Sequence, residues 1–163
     1  MSEGKSLQST KRVALRSLVA DDLPALFEIV SDPEANRMAA FIPRDWETFI
    51  AHWTNVLANP NVVTKAILVE GRFVGQIALF QRDEEHCIGY WIAKEHWGRG
   101  YASRALELML KEISIRPLHA YAAKANVGSI RVLEKCGFKI VGYEYSPATE
   151  RYLECEEAIL ILS

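Results

Sequence analysis

The run Ile88-Gly89-Tyr90-Trp91-Ile92-Ala93, then Lys94-Glu95-His96, then Trp97-Gly98-Arg99-Gly100-Tyr101-Ala102-Ser103, decides how this chain folds. Its first six residues are mostly apolar and aromatic, which suits a pleated, buried strand. Two glycines follow, and from Ala102 the apolar residues Ala102, Ala105, Leu106, Met109 and Ile113 recur at i, i+3, i+4, i+7 and i+11. That spacing predicts one face of an amphipathic helix, ended by Pro117. Leu118 to Ala123 is again short and apolar. Strand, helix and strand of this length make a right-handed crossover whose second strand runs parallel to the first.

Upstream, Val62 to Glu70 and Arg72 to Phe80 are β-branched-rich runs meeting at Glu70-Gly71-Arg72, a hairpin turn. Gln81 to Glu85 reads as a charged turn into the crossover strand, which completes a three-strand antiparallel meander. Val13 to Leu18 reads as an opening strand. Asp21-Asp22-Leu23-Pro24 offers capping carboxylates and an early proline for a helix to about Ser31, with Asp32-Pro33 as its stop. Met38 to Pro43 reads as a loop, and Asp45 caps a second helix carrying Trp46, Phe49, Ile50, Trp53 and Leu57 until Asn59-Pro60. Downstream, Asn126 caps a helix striped by Val127, Ile130, Leu133 and Cys136, and Gly137 ends it. Phe138 to Tyr145 and Tyr152 to Leu162 are the last two strands, separated by the Ser146-Pro147 turn. The expected class is α+β: a mostly antiparallel sheet with one parallel βαβ crossover and helices on both faces.

A length of 163 residues, half of them hydrophobic, predicts one domain over 1–163 that buries roughly two-thirds of its unfolded surface without staples. Met1 to Thr10 is polar and reads as a loose tail without the apolar segment of a signal peptide. The formal charge of -2 gives no general grip on phosphate backbones, so a nucleic-acid partner is not expected. No apolar run approaches the roughly 20 residues of a membrane span, and cytoplasmic residence is expected. Cys87, Cys136 and Cys155 are three in number and lack CxxC spacing, which fits reduced, packed thiols. His52, His86, His96 and His119 lack ligand spacing, so no metal is expected.

The chemistry concentrates at Gly98-Arg99-Gly100. Glycines let a ligand approach the backbone, and the first N–H groups of the following helix have no internal partner and lie at the positive end of its dipole. Phosphate or pyrophosphate fits there. Taken alone, a GxG pair reads first as a tight strand-to-helix turn, and context must decide. The Walker spacing with its lysine is missing, and so are the third glycine and downstream acid of a dinucleotide fold.

Three segments in order resemble the GNAT superfamily of acyl-CoA-dependent N-acetyltransferases, in the branch that includes the ribosomal-protein alanine N-acetyltransferases. They are Ile88 to Ile92, Trp97 to Leu106, and Asn126 through Ser129 to Phe138. The family's pyrophosphate loop, [RQ]xxGx[GA], falls on Trp97 to Ala102 with Trp97 in its first place. The resemblance implies acetyl-CoA as co-substrate. Trp97, Gly98, Arg99, Gly100, Tyr101, Ala102, Ser103 and Arg104 would surround its pyrophosphate, Ile92 and Ala93 would pair with pantetheine, and Asn126 and Ser129 would lie near the sulfur.

It further implies direct attack of an amine on the bound thioester, through a tetrahedral intermediate stabilised by a strand N–H. The family often places a glutamate two residues before the glycine of the Ile-Gly-Tyr-Trp segment; here that residue is Cys87. Glu85 and His86 are the nearest ionisable substitutes, with Glu144 a third candidate base. Where many members carry an acid tyrosine, this chain has Leu133, leaving Ser129 as the candidate general acid. Met38, Phe41, Trp46 and Trp53 are candidate walls of the acceptor cleft, and equally candidate core. The acceptor is expected to be a protein N-terminus or a small-molecule amine, and a homodimer fits the family. The alternative reading is a catalytically weak acyl-CoA-binding sensor, kept open by Cys87.

Overall fold

Seven strands form one sheet in the order β1-β2-β3-β4-β5-β7-β6, over the residues 11–163 that the computed structural model describes. The tail expected over Met1 to Thr10 lies outside the described residues. The strands are β1 (Val13–Ser17), β2 (Val63–Val69), β3 (Arg72–Arg82), β4 (Glu85–Ile92), β5 (Leu118–Ala123), β6 (Lys139–Ser146) and β7 (Cys155–Leu162). The helices are α1 (Leu23–Val30), α2 (Pro33–Ala39), α3 (Trp46–Ala58), α4 (Tyr101–Glu112) and α5 (Val127–Lys135). Every neighbouring strand pair is antiparallel except β4 and β5, which α4 connects in parallel. The expected class is the observed one.

Helices cover both faces because each face has its own core. On one, Tyr101, Ala105, Leu106 and Met109 of α4 pack with Leu133 of α5 against Ile77, Ile88, Ile92 and Leu118. On the other, Leu23 and Leu26 of α1 pack with Phe49 and Trp53 of α3 against Ala66. Each fully buried Leu, Ile, Phe or Met among these stabilises the fold by about 1.5–3 kcal/mol relative to exposure.

Four local expectations are corrected. Asp32-Pro33 starts a helix: Asp32 is extended, its carboxylate accepts from the Ala35 N–H at 2.9 Å, and Pro33 occupies the first helical position, where a missing N–H costs nothing. The stretch from Met38 is therefore helical to Ala39 and stops at Ala40, which adopts a left-handed φ of 53°. The β3–β4 turn is only Asp83-Glu84, both at positive φ, which places Glu85 on β4. The last strand begins at Cys155, while Tyr152 forms an isolated bridge with Phe41.

Arg16 on β1 grips the buried Asp22 through two hydrogen bonds of 2.7 and 2.8 Å, and Asp22 also accepts from the Val19 N–H at 2.9 Å. The Arg16 hydrogen bond holds the Asp22 carboxyl below the usual carboxylate range, against the opposing effect of burial. A pKa lower in the folded than in the unfolded state contributes stability that is complete above pH about 4 and lost as pH falls through the folded value. Asp22→Asn is expected to lower the urea unfolding free energy by about 1–3 kcal/mol at pH 7, with the difference narrowing by pH about 3.

Candidate active site

β4 and β5 pair at one position, Cys87 opposite His119, and no further pair follows toward Ile92. The Ala93 N–H bonds the Val74 carbonyl at 2.9 Å, so strand alternation turns the backbone groups of Tyr90 and Ile92 toward the opening. Trp97 Nε1 donates to the Ile92 carbonyl at 2.8 Å and pins the loop to the strand end. Of the two positions expected to pair with a ligand, Ala93 is thus committed through its N–H to β3, and Ile92 through its carbonyl to Trp97. An open strand edge remains, which accepts an extended polar chain.

At the mouth of this opening stands the start of α4. Gly98 and Gly100 adopt φ of 74° and 81°, and at neither would an added Cβ meet another atom within 4 Å, so this surface is open. Gly100 is the N-cap and brings no capping side chain; the first helical bond is Arg104 N–H to the Gly100 carbonyl at 3.1 Å. The N–H groups of Tyr101, Ala102 and Ser103 therefore lack helical acceptors. Ser103 is buried, and its carbonyl accepts from Cys136 Sγ at 3.5 Å, tying α4 to α5. Arg99 is exposed, while Arg104 leans along the helix to Glu107 at 3.4 Å.

α5 begins beside the same opening. The Asn126 side chain accepts from the Ser129 N–H at 3.3 Å, which caps the helix and fixes Ser129. Tyr90 reaches across from β4: its hydroxyl lies 3.1 Å from the Ser129 carbonyl and 3.0 Å from Ser129 Oγ. Burial pushes the Tyr90 phenol up to about 12, so it is neutral and keeps its proton at physiological pH. Sequence reading passed over Tyr90. The available signal was the alternation of Ile88, Tyr90 and Ile92, which puts all three on the side of α4 and α5.

On the opposite sheet face, Glu85 accepts a hydrogen bond from the Tyr121 hydroxyl and lies 3.3 Å from His119 Nε2. Arg82 stacks 4.1 Å above the Tyr121 ring and reaches Glu157 at 3.9 Å. Burial, with the Glu85 hydrogen bond next, raises the Tyr121 pKa. Burial also raises that of Glu157, with Glu144 adding to it and Arg82 opposing. Cys87 is pushed up to about 11 by burial first and Glu85 second, so it is a neutral thiol and a poor nucleophile at pH 7. Of the other candidate bases, His86 points to the reverse face of β4 by strand alternation. Glu144 lies opposite Glu157 on the edge strand, about 10 Å from β5 at ordinary strand spacing. His119, Tyr121 and Glu157 escaped sequence reading, and His119 Nδ1 is buried without a partner.

The expected acceptor segment divides. Phe41 sets its ring 5.3 Å from Trp91 of β4 and 5.5 Å from Tyr152, both edge-on. Met38 is half-buried on α2. Trp46 rests on Phe27 at 5.1 Å and Phe49 at 6.0 Å, and the buried Trp53 stands 6.2 Å from Phe49. The helical spacing that joins Trp46 and Trp53 also joins them to Phe49; Trp53 is buried in the second core, while Trp46 lies at its edge and is exposed. Among the described residues, no group of three or more His, Cys, Asp or Glu side chains is arranged to hold a metal ion, and no helix is long and apolar enough to cross a membrane.

An antiparallel sheet opened at one parallel pair, beside a glycine-led helix start with unpartnered N–H groups, suits an extended ligand that ends in phosphate. The chain belongs to the GNAT acetyltransferase family: the profile described as "Acetyltransferase (GNAT) domain" matches residues 12–139. Membership supports acetyl transfer to an amine. The putative ribosomal N-acetyltransferase YdaF of Bacillus subtilis (strain 168) is 32% identical over 99 residues, 56% of this chain and 54% of YdaF, so the match spans about half of that relative's length. Spermidine N-acetyltransferase from Vibrio cholerae, solved with CoA and spermine, superposes with a TM-score of 0.75 at 16% identity, covering 91% of this chain and 95% of its own. Mycobacterium smegmatis RimJ, solved with CoA-disulfide, gives 0.73 at 20% identity over 92% and 81% of the two chains. These two likenesses are of fold.

Proposed function

We propose that this protein transfers the acetyl group of acetyl-CoA to a primary amine by direct attack, without an acetylated enzyme. The observation that carries the reading is the β4–β5 opening, bordered by the unpartnered N–H groups of Tyr101 to Ser103 and by the Tyr90–Ser129 pair. Those N–H groups, at the positive end of α4, hold the pyrophosphate. The open edge of β4 at Tyr90 and Ile92 receives the pantetheine arm, and one strand N–H polarises the thioester carbonyl, a contribution of the oxyanion-hole kind. The acceptor enters from the face carrying Phe41, Trp91 and Tyr152. Glu85, steadied by Tyr121 and His119, takes the proton that the amine must lose. Ser129, backed by Tyr90, gives a proton to the departing thiolate as the C–S bond breaks and the C–N bond forms. The high Cys87 pKa supports the direct route, because a neutral buried thiol does not compete for the acetyl group. The acceptor is a protein N-terminus or a small-molecule amine.

Thiol release from acetyl-CoA with a panel of amines and peptides, beside melting-temperature shifts with CoA, tests this reading. Amine-dependent release together with a CoA shift is expected. A CoA shift without amine-dependent release would leave an acyl-CoA-binding protein and overturn the transferase reading.

A further inference from the structure

Residues 40–42 and 151–153 run side by side in front of β4. The Leu153 N–H bonds the Ala40 carbonyl at 2.8 Å and the Ile42 N–H bonds the Arg151 carbonyl at 2.7 Å. Arg151 also folds one nitrogen back onto the Ile42 carbonyl at 2.9 Å, and two residues further on the Arg44 guanidinium lies 5.9 Å from the Phe41 ring centroid. Two half-buried guanidiniums are thereby brought together at the rim of the Phe41–Trp91–Tyr152 aromatic group.

Neither makes an ion pair among the described residues. Asp45, next in sequence to Arg44, is committed to capping α3 through the Thr48 N–H at 2.8 Å. Burial and then Arg151 push the Arg44 pKa down, and burial followed by these two arginines does the same to His52. Two like charges partly withdrawn from water, with no direct ion pair and only the exposed Asp45 carboxylate acting on Arg151 through space, are an unfavourable arrangement. An anion between them relieves it and gains charge-assisted, forked hydrogen bonds.

We propose that Arg44 and Arg151 bind a carboxylate or phosphate carried by the acceptor, so that the acceptor is an amine bearing an anionic group a few bonds from its nitrogen. This rests on the transferase reading above and narrows it, setting polyamines aside. The anion anchors at the arginine rim, the apolar part of the acceptor lies on Phe41, Trp91 and Tyr152, and the ammonium points toward the carboxylates of Glu157 and Glu85.

Matched amines that differ only in the anion test the proposal: L-phenylalanine against L-phenylalaninamide, and O-phosphoethanolamine against ethanolamine, with spermidine as a polycation. The two pairs separate a carboxylate from a phosphate as the source of charge. The wild-type protein is expected to favour the anionic member of at least one pair by tenfold or more in kcat/KM. In Arg44→Gln that ratio collapses toward one through acceptor KM, while the KM for acetyl-CoA does not move. Arg151→Lys, which keeps the charge and loses the fork, is expected to fall between them. Calorimetric titration of the same amines into the CoA-bound protein supplies a readout independent of turnover. Anionic amines that bind the wild type at least tenfold more tightly than Arg44→Gln, yet are never acetylated, would sustain the anion site and overturn the transferase. Preference for spermidine or the uncharged members, no selective binding in either pair, or a shift in acetyl-CoA KM in place of acceptor KM would overturn the anion site.

Discussion

Ser129→Ala is expected to lower kcat for amine acetylation by about 10²-fold, the lower end of what a positioned proton donor supplies, while leaving the KM for acetyl-CoA unchanged. Asn126 fixes the backbone of Ser129, and Tyr90 stands 3.0 Å from its hydroxyl oxygen, so the seryl proton is held in one region of the opening. When the Tyr90 O–H turns to Ser129 Oγ, the Ser129 proton is free to meet the leaving sulfur, and the two hydroxyls act in series. Tyr90→Phe removes only the second member and is expected to cost about tenfold. Loss of packing alone would lower the melting temperature of both variants without changing the response to leaving-group basicity. A proton donor makes the Ser129→Ala defect smaller for a thioester with a more acidic thiol. Single-turnover rates with such a thioester separate the two, and unchanged rates in Ser129→Ala with chemistry limiting would remove Ser129 from the mechanism.

The second large effect concerns the helix start. Gly100 sits at φ 81°, where a β-branched residue is strained by about 1–3 kcal/mol, and its missing Cβ leaves open the surface before the N–H groups of Tyr101 to Ser103. Gly100→Val therefore both strains the turn and blocks approach. Calorimetric titration is expected to show acetyl-CoA binding weakened about 10- to 100-fold. Binding unchanged in a folded Gly100→Val protein would mean that the co-substrate does not use this helix start.

The crossover was legible in the sequence because the apolar period changes there, from strand-like at Ile88 to Ile92 to helical from Ala102, and Gly98 and Gly100 mark the junction. What was missed depends on long-range placement. Asp32-Pro33 reads equally as a stop or a start, and only the bond from Asp32 to the Ala35 N–H decides it. Asp83 and Glu84 turn at positive φ without glycine, so Glu85 looked like part of a solvated turn; on β4 it faces His119 and Tyr121, which the strand register brings across from β5. Trp46 and Trp53 carry the same helical spacing whether they line a cleft or a core; packing against Phe49 buries Trp53, while Trp46 rests on Phe27 and Phe49 and stays exposed. Arg44 and Arg151 meet because two segments far apart in sequence run side by side, with Arg151 and Ile42, 109 positions apart, bonded to each other.

A crystal structure of the acetyl-CoA complex tests whether the co-substrate lies in the β4–β5 opening. Pyrophosphate oxygens are expected within hydrogen-bond distance of the Tyr101, Ala102 and Ser103 N–H groups, with pantetheine between β4 and β5 and the sulfur beside Ser129 Oγ. Acetyl-CoA bound outside the β4–β5 opening, or its sulfur distant from the Tyr90–Ser129 pair, would contradict this placement.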